Sequence, residues 1–233
     1  MNNVVILEIE RISPTIIKGL KTSCIASIHE VMGRIGALDS EIKPIDFGLK
    51  MAGPAITALN MVGDNLAMHR ALALAKPGDV LVVNAQGVRN ATWGGMVTIS
   101  AKSRKIAGVV IDGNVRDIEV IKKNKFPVYA RAVSVAGAVK ETMGAVNIPI
   151  QCGGVVVFPG DIVVGDDDGV VVIPRKMAPD VLRMAQERDK KEKELAKKLR
   201  QGKTPYEVLG LEKLLHEKGV REIQGPFNKL FKK

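Results

Sequence analysis

The sequence Ala107-Gly-Val-Val-Ile-Asp-Gly-Asn-Val-Arg-Asp117 predicts a buried strand that leads, through a tight turn at Asp112-Gly113, to the start of a helix. The apolar run that Asp112 closes is typical of a strand covered on both faces. In open α/β sheets, ligands bind beyond the carboxyl ends of such strands. Arg116 and Asp117 follow this strand, so they are the first candidates for a functional site.

The chemistry of this pair suits an anion and a cation together. An arginine can bind a carboxylate or a developing enolate, and an aspartate can hold a divalent cation directly or through waters. The alternative is structural, with Asp112-Gly113 as a turn only and Asp117 interacting with the helix dipole. The spacing alone leaves both interpretations open.

Predicted strands and helices alternate on both sides of this segment, which favours an α/β fold with a mixed or partly parallel sheet. Helices are predicted at 22–36, 65–75, 96–105 and 118–124, and strands at 80–84, 107–112, 128–135 and twice within 155–174. A long charged helix (178–201) and a second helix (206–219) form a C-terminal extension. The sequence thus predicts a core domain, 1–176, and a helical extension, 177–233, that packs on the core or on a neighbouring subunit.

The segment from Asn90 to Val97 is a second candidate. It leads from a loop into a helix, where backbone N–H groups point at an anion. Its Gly94-Gly95 pair is weak evidence by itself, and the single tryptophan, Trp93, can be explained by packing alone.

Composition excludes several functional classes. The formal charge is +10, but residues 183–233 hold 15 Lys or Arg against 8 Asp or Glu, interleaved as on a solvated helix. Aromatic residues make up only 3% of the chain, so nucleic-acid binding is not expected. Neither a secretory signal nor a membrane span is evident, so we expect a cytoplasmic protein without membrane association.

Other polar features carry little chemistry on their own. Asp166-Asp167-Asp168 lacks the ligand spacing of a calcium loop and predicts a hairpin turn instead. His29, His69 and His216 stand far apart and are expected to be structural or exposed. Glycine-rich nucleotide-binding motifs are absent, which disfavours a nucleotide cofactor.

Several blocks, in this order, resemble the regulator of ribonuclease activity A family, which includes metal-dependent 4-hydroxy-4-methyl-2-oxoglutarate and 4-carboxy-4-hydroxy-2-oxoadipate aldolases. They are Gly53-Pro-Ala-Ile-Thr57, Pro77-Gly-Asp-Val-Leu-Val-Val83, Trp93-Gly94, the segment 107–117, and Pro159-Gly-Asp-Ile-Val-Val-Gly-Asp-Asp-Asp-Gly-Val-Val-Val-Ile-Pro174. The resemblance covers about residues 22–174. It implies a swivelling β/β/α sandwich assembled as a trimer or a dimer of trimers, with sites at subunit interfaces.

The resemblance also implies roles for particular residues. Asp117 would bind Mg²⁺ or Mn²⁺, and Arg116 would contact the keto oxygen and stabilise the enolate of pyruvate. The glycine turn at Gly94 and the backbone amides of Gly95, Met96 and Val97 would hold the carboxylate of a 2-keto acid.

The C-terminal extension resembles the aldolase branch, in which a tail glutamate reaches the neighbouring subunit's site. Glu192 is the best match to this catalytic residue, with Glu194 or Glu187 as alternatives in register.

One position departs from the aldolase pattern. The aldolases carry an acid 21 residues before the arginine, which assists proton transfer, and here that residue is Gly95. A glycine supplies an N–H group but no proton. The resemblance nevertheless implies a metal-dependent carbon–carbon lyase, an aldolase or decarboxylase that yields pyruvate. The alternatives are a non-catalytic oligomeric regulator of ribonuclease activity and a different small-molecule enzyme on the same scaffold.

Overall fold

The computed structural model describes residues 3–87 and 89–226. The strands are β1 (Val4–Val5), β2 (Lys43–Pro44), β3 (Met51–Leu59), β4 (Val80–Asn84), β5 (Ala91–Trp93), β6 (Gly108–Val115), β7 (Val128–Val133), β8 (Ala145–Val146), β9 (Ile150–Cys152), β10 (Val155–Val157), β11 (Ile162–Asp166) and β12 (Gly169–Ile173). The helices are α1 (Pro14–Thr22), α2 (Ile25–Val31), α3 (Leu66–Leu74), α4 (Gly95–Ser103), α5 (Ile118–Asn124), α6 (Ala178–Arg200), α7 (Pro205–Val208) and α8 (Leu211–Glu217), with a 3₁₀ turn at Arg175–Met177.

A mixed sheet forms the centre of the fold. Strands β3, β4, β6 and β7 are parallel neighbours in that order, β2 pairs antiparallel with β7, and β11 pairs antiparallel with β3 and β12. Strand β5 pairs in parallel with the last residues of β6. The structure confirms the predicted mixed α/β fold and the helical C-terminal extension.

The central strands are apolar throughout because both faces of the sheet are covered. On β4, Leu81 and Val83 belong to the core beneath α3 and α5, while Val80 and Val82 belong to the core on the opposite face, with β9 and β10. Successive side chains of a strand point to opposite faces, so a strand buried on both sides has no polar alternation. Because β3, β4, β6 and β7 are parallel, their carboxyl ends lie at the same edge of the sheet.

The predicted turn at Asp112-Gly113 is wrong. Strand β6 continues to Val115, because its later residues pair with β5 and β7 after a register shift. A side chain at position 113 would lie 2.6 Å from the Cβ of Ala85, so glycine here serves close strand packing rather than a turn. The strand therefore delivers Arg116 directly to the edge of the sheet.

Other predicted elements differ in extent or number. The helix predicted at 22–36 is the shorter α2, while α1 lies before that range, and the helix predicted at 206–219 is divided into α7 and α8 at Gly210, which has a φ of +64°. The region 155–174 holds three strands, β10, β11 and β12, rather than the two predicted. The predicted hairpin around Asp167 is confirmed by the pairing of β11 with β12.

The chain divides into two compact units, one ending at Glu187 and the other beginning at Arg188. The predicted division between 176 and 177 stays a prediction. Among the described residues, no helix is both long enough and apolar enough to cross a membrane.

Candidate functional site

Arg116 and Asp117 leave the carboxyl end of β6 beside the carboxyl end of β5. The N–H of Arg116 donates to the carbonyl of Trp93 at 3.0 Å, which ties the two strand ends together. Trp93 itself stacks on Phe126, and its Nε1 donates to Oγ1 of Thr98 at 2.8 Å. The tryptophan therefore anchors the base of the site, as its packing interpretation predicted.

Asp117 is the N-cap residue of α5, but its side chain does not cap the helix. Its backbone is left-handed (φ 59°, ψ 45°), and its side chain makes no capping bond to α5. Instead, its Oδ2 accepts the N–H of Gly95, the first residue of α4, at 2.8 Å. The structural interpretation, in which Asp117 interacts with the dipole of α5, holds for its position at the amino terminus of that helix. Its carboxylate, however, binds the amino terminus of α4.

The amino terminus of α4 supplies further N–H groups. The first-turn amides of a helix have no acceptor inside the helix. Since the Gly95 amide already donates to Asp117, the amides of Met96 and Val97 are those still available to a carboxylate. The predicted substrate role of the Gly95 amide stays a prediction, as do those of Met96 and Val97.

Glycines at positions 94, 95 and 137 let the backbone approach Arg116, Asp117 and Val120 closely. A Cβ at Gly94 would lie 2.6 Å from Oδ2 of Asp117, and one at Gly137 would lie 2.6 Å from Nη1 of Arg116. A Cβ at Gly95 would lie 2.9 Å from Val120. Position 95 therefore has no space for the acid of the aldolases unless Val120 moves.

Arg116 and Asp117 form a loose pair. The guanidinium Nε lies 3.8 Å from Oδ2 of Asp117, and both side chains are about half exposed. Neither side chain is thus committed to a structural ion pair. The arginine can reach a ligand, and the second carboxylate oxygen of Asp117 is not used by the bond to Gly95.

A pocket of about 250 Å³ opens beside this pair. It is lined by residues of α3, β5, α4, the β6–α5 junction and the loop before β8, namely Asn65, His69, Ala91, Thr92, Trp93, Gly94, Met96, Val97, Arg116, Asp117, Ala138 and Lys140. The structure thus brings Gly94, Met96, Val97, Arg116 and Asp117 together around one cavity, with Gly95 bonded to its rim.

Sequence reasoning missed a polar wall of the pocket, formed by Asn65, His69 and Lys140. Asn65 and His69 are one helical turn apart at the start of α3, and Lys140 lies in the loop after β7. Burial lowers the pKa of His69, the positive charge of Lys140 lowers it further, and Asp64 opposes both effects. The four-residue spacing of Asn65 and His69 is the only sequence signal that could have indicated this wall.

Asp112 has a structural role. Its carboxylate accepts from Nε of Arg131 and, at 2.7 Å, from the N–H of Gly153. Arg131 also binds Asp39 and Glu41. The carboxylate is occupied by these bonds, so Arg116 and Asp117 are the residues of the 112–117 segment that stay candidates for a functional site.

A divalent cation would find one suitable side chain here. No group of three or more His, Cys, Asp or Glu residues suited to a metal occurs within residues 3–87 and 89–226. Mg²⁺, however, keeps several waters and is often held by one or two carboxylates together with its substrate. The half-exposed carboxylate of Asp117 fits an ion of this kind.

Glu192 lies on α6, in the unit that begins at Arg188. Its Oε1 is 3.1 Å from Nε of Arg188, an i,i+4 pair on the helix surface. Glu194 pairs with Lys197 in the same helix. The role of a tail glutamate in a neighbouring subunit's site stays a prediction.

Comparison with known proteins gives a consistent result. Residues 24–172 match the family model described as RraA-like, Aldolase/RraA. A protein of Halalkalibacterium halodurans named "Putative 4-hydroxy-4-methyl-2-oxoglutarate aldolase" is 41% identical over 170 residues, which are 72% of this chain and 80% of that protein.

Two solved structures are similar over most of the chain. RraAS2 of Streptomyces coelicolor, described as an unusual member of the RNase ES inhibitor RraA protein family, has a TM-score of 0.71 at 30% identity and covers 79% of this chain and 96% of its own. An uncharacterized protein from Pseudomonas syringae has a TM-score of 0.77 at 25% identity, covering 84% of this chain and 93% of that one.

Proposed function

This chain belongs to the RraA-like (Aldolase/RraA) family, and on that premise we propose that it is a divalent-metal-dependent lyase that releases pyruvate from 2-keto acids by aldol cleavage or decarboxylation. The observation that carries the proposal is the half-exposed guanidinium of Arg116, which shares one pocket with the Asp117 carboxylate and the amino terminus of α4. These groups match the charges of a metal-bound 2-keto acid.

The proposed reaction begins with binding of the substrate carboxylate at the first-turn amides of Met96 and Val97. Arg116 donates hydrogen bonds to the keto oxygen. When the C3–C4 bond breaks, its electron pair passes into the developing pyruvate enolate. In aldol cleavage the C4 hydroxyl gives its proton to a base, a tail glutamate or a water molecule, and the fragment leaves as a carbonyl compound; in decarboxylation the C4 carboxylate leaves as carbon dioxide. Arg116 stabilises the negative charge on the enolate oxygen, and protonation at C3 completes pyruvate.

Asp117 would hold the Mg²⁺ or Mn²⁺ ion, which supplies Lewis-acid stabilisation of negative charge when bound. The bond from the Gly95 amide fixes the orientation of the carboxylate. In this proposal each side chain also binds a ligand, because both are about half exposed and their pairing at 3.8 Å is loose.

The proposed working form is a cytoplasmic homotrimer or dimer of trimers, in which Glu192 of one subunit assists proton transfer in the next. Gly95 supplies no proton, so the acid has to come from another group. A tail glutamate, or a water molecule, would meet that need.

A substrate panel tests the proposed function. Pyruvate release from oxaloacetate and from 4-hydroxy-2-keto acids is measured with Mn²⁺, with Mg²⁺ and with EDTA, for the wild type, Arg116→Ala and Arg70→Ala. Metal-dependent turnover that Arg116→Ala abolishes and Arg70→Ala keeps is expected; Arg70 is an exposed arginine outside the pocket. If no substrate gives metal-dependent pyruvate, the proposal is wrong.

The glycine at position 95 favours a second candidate, a non-catalytic regulator of a ribonuclease. Glycine stands where the aldolases have an acid, and Val120 closes the space beside it. A related structure is described as a member of the RNase ES inhibitor family. Inhibition of a ribonuclease E-type enzyme by the wild type and Arg116→Ala alike, without pyruvate release, would support this candidate over the lyase.

A further inference from the structure

The position of the Arg116 guanidinium depends on a backbone segment that lies against it. In the described part of the chain, its one charged partner is Asp117, at a loose 3.8 Å. A Cβ at Gly137 would lie 2.6 Å from Nη1, 3.5 Å from Cζ and 3.9 Å from Nη2 of Arg116. The Cα of this glycine therefore faces the guanidinium and forms one side of the space that it occupies.

This glycine belongs to residues 134–139, which we call the strap. The strap follows β7 and is tied down by main-chain hydrogen bonds at both ends. The N–H of Ser134 donates to the carbonyl of Val115 at 3.0 Å, and the N–H of Val139 donates to the carbonyl of Gly63 at 3.0 Å. The two ends are thus fixed to the end of β6 and to the turn before α3.

The middle of the strap is held from the side of β5. The N–H of Ala91 donates to the carbonyl of Ala136 at 2.6 Å, and Nδ2 of Asn90 donates to the carbonyl of Gly137 at 2.7 Å. Among residues 3–87 and 89–226, Asn90 supplies the one side-chain hydrogen bond that the strap receives from outside itself. Glycine has the widest choice of backbone conformations, so a bond to its own carbonyl restricts the peptide that faces the guanidinium.

We propose that Asn90 is a positioning residue for Arg116. Its amide fixes the Gly137 peptide, and this peptide limits where the guanidinium can lie. The proposal rests on the proposed function only for what the arginine does once it is in place, the stabilisation of an enolate. A donor to a developing oxyanion has to be aligned before the charge appears, so a residue that aligns it contributes without touching the substrate.

Two substitutions act on this chain of contacts at different points, and a third is the matched control. Asn90→Ala removes the bond to the strap, and Gly137→Ala pushes directly on Nη1 of Arg116. In the control, Asn84→Ala, the lost bond is of the same kind, from Nδ2 to the carbonyl of Gln151 at 2.8 Å, and lies outside the pocket. Asn90→Ala and Asn84→Ala should therefore lower Tm by similar amounts.

The first measurement does not depend on turnover. Two-dimensional ¹H–¹⁵N NMR records the arginine Nε–H signals, and the signal of Arg116 is the one that Arg116→Lys removes. Asn90→Ala is expected to shift or broaden this signal, whereas Asn84→Ala leaves it in place. Asn90→Leu, which has a similar shape but neither a donor nor a charge, is a second variant that should act like Asn90→Ala.

The second measurement is the rate of pyruvate release with the best substrate of the panel. In Asn90→Ala, kcat is expected to fall about tenfold, less than the roughly 10²-fold cost of a 1 Å misplacement at a reacting centre. KM should change less than about threefold, because the arginine acts mainly on charge that develops during the reaction. Since Asn90 acts through Gly137, the double variant of Asn90→Ala and Gly137→Ala should be no slower than Gly137→Ala alone.

The outcomes separate the positioning role from the lyase. An Arg116 signal that neither Asn90→Ala nor Asn90→Leu changes, or that Asn84→Ala changes equally, would overturn the positioning role. A signal that moves as expected in a protein that releases no pyruvate would support the positioning of Arg116 and contradict the lyase. Pyruvate release that Asn90→Ala leaves unchanged would support the lyase and overturn the positioning role.

Discussion

Two arginine–aspartate pairs lie at the carboxyl edge of β6 and β7, and their environments are opposite. Arg131 and Asp112 are 25% and 16% exposed, and Arg131 also binds Asp39 and Glu41. Arg116 and Asp117 are 48% and 44% exposed and 3.8 Å apart. The same residue types at the same edge thus form a closed structural network in one place and an open site in the other.

The difference arises from which partners the fold supplies. Asp112 accepts hydrogen bonds from Arg131 and Gly153, so burial of its charge is compensated. The pKa of Arg131 is raised, mainly by the hydrogen bond to Asp112, so its charge is fixed. Within residues 3–87 and 89–226, the Gly95 amide is the one close hydrogen-bond donor to the Asp117 carboxylate, and the glycines at 94 and 137 leave space around the second pair. An incompletely satisfied charged pair beside a pocket is a functional-site candidate.

We call Arg116 and Asp117 the open pair, and Arg131 and Asp112 the closed pair. The largest expected effect is on catalysis at the open pair. Arg116→Met should lower kcat/KM for pyruvate release by about 10²–10³, the usual cost of removing a donor to a developing oxyanion. Its free energy of unfolding should stay within about 0.5 kcal/mol of the wild type, since the arginine is half exposed and loosely paired. Steady-state kinetics and urea denaturation measure the two quantities. A stability loss as large as the kinetic loss would mean that Arg116 is structural.

The same substitution at the closed pair should have the opposite profile. Arg131→Met leaves Asp112 without its ionic partner and should cost about 2 kcal/mol of unfolding free energy, the value of hydrogen bonds to a charged group. Activity measured well below Tm should fall less than in Arg116→Met. If Arg131→Met were as stable as the wild type but inactive, the assignment of the two pairs would be reversed.

The sequence could predict the open pair but not the closed one. The apolar run before Asp112 indicated a buried strand, and the order of motifs indicated that Arg116 follows it. The partners of Asp112 come from distant segments, at Arg131 and Gly153, and no local pattern reveals them. The turn at Asp112-Gly113 was wrong for the same reason, because pairing with β5 and β7 overrides the turn preference of Asp-Gly.

The polar wall of the pocket shows the same limit. Asn65 and His69 are unremarkable helix residues in the sequence, and Thr92 lies in a segment predicted as loop. Their proximity follows from the parallel sheet, which brings the start of α3 beside β5. Residues on one element could be grouped by periodicity, whereas residues gathered from three elements required the structure.

A third test concerns the missing acid beside the open pair. Gly95→Asp should cost about 1–3 kcal/mol of stability, because its Cβ would lie 2.9 Å from Val120 and overpacking strains the α4–α5 contact. Adding Val120→Gly removes both the Cβ and the Cγ1 that lie 2.9 Å from that position, and it should recover part of the loss. In the double variant, pyruvate release should rise about tenfold above Val120→Gly alone, since a positioned acid typically contributes at least 10² in a matched site. An unchanged rate would show that proton transfer does not limit this chain.

The smallest expected effect is on the pH dependence of stability, through Asp64, which binds the segment that follows Lys140. Burial raises the pKa of Asp64, but hydrogen bonds from the N–H groups of Glu141, Leu66 and Thr142 more than offset it, so the net shift is downward. A folded-state pKa below the unfolded value stabilises the protein above the unfolded pKa, and this contribution disappears as pH falls through the folded pKa.

Asp64→Asn should therefore lower Tm at pH 7 and leave it nearly unchanged at pH 2–3, so that the acid limb of the stability curve becomes flatter. The amides of Glu141 and Thr142 donate to Oδ2 of Asp64 at 2.7 and 2.8 Å, and their hydrogen exchange should accelerate in the variant at pH 7. The amide of Gly153, bound to Asp112 in the closed network, is the internal control and should keep its protection. Faster exchange at all three amides would mean that Asp64 stabilises the whole fold. The segment at Glu141 and Thr142 would then not be held independently of the closed network around Asp112.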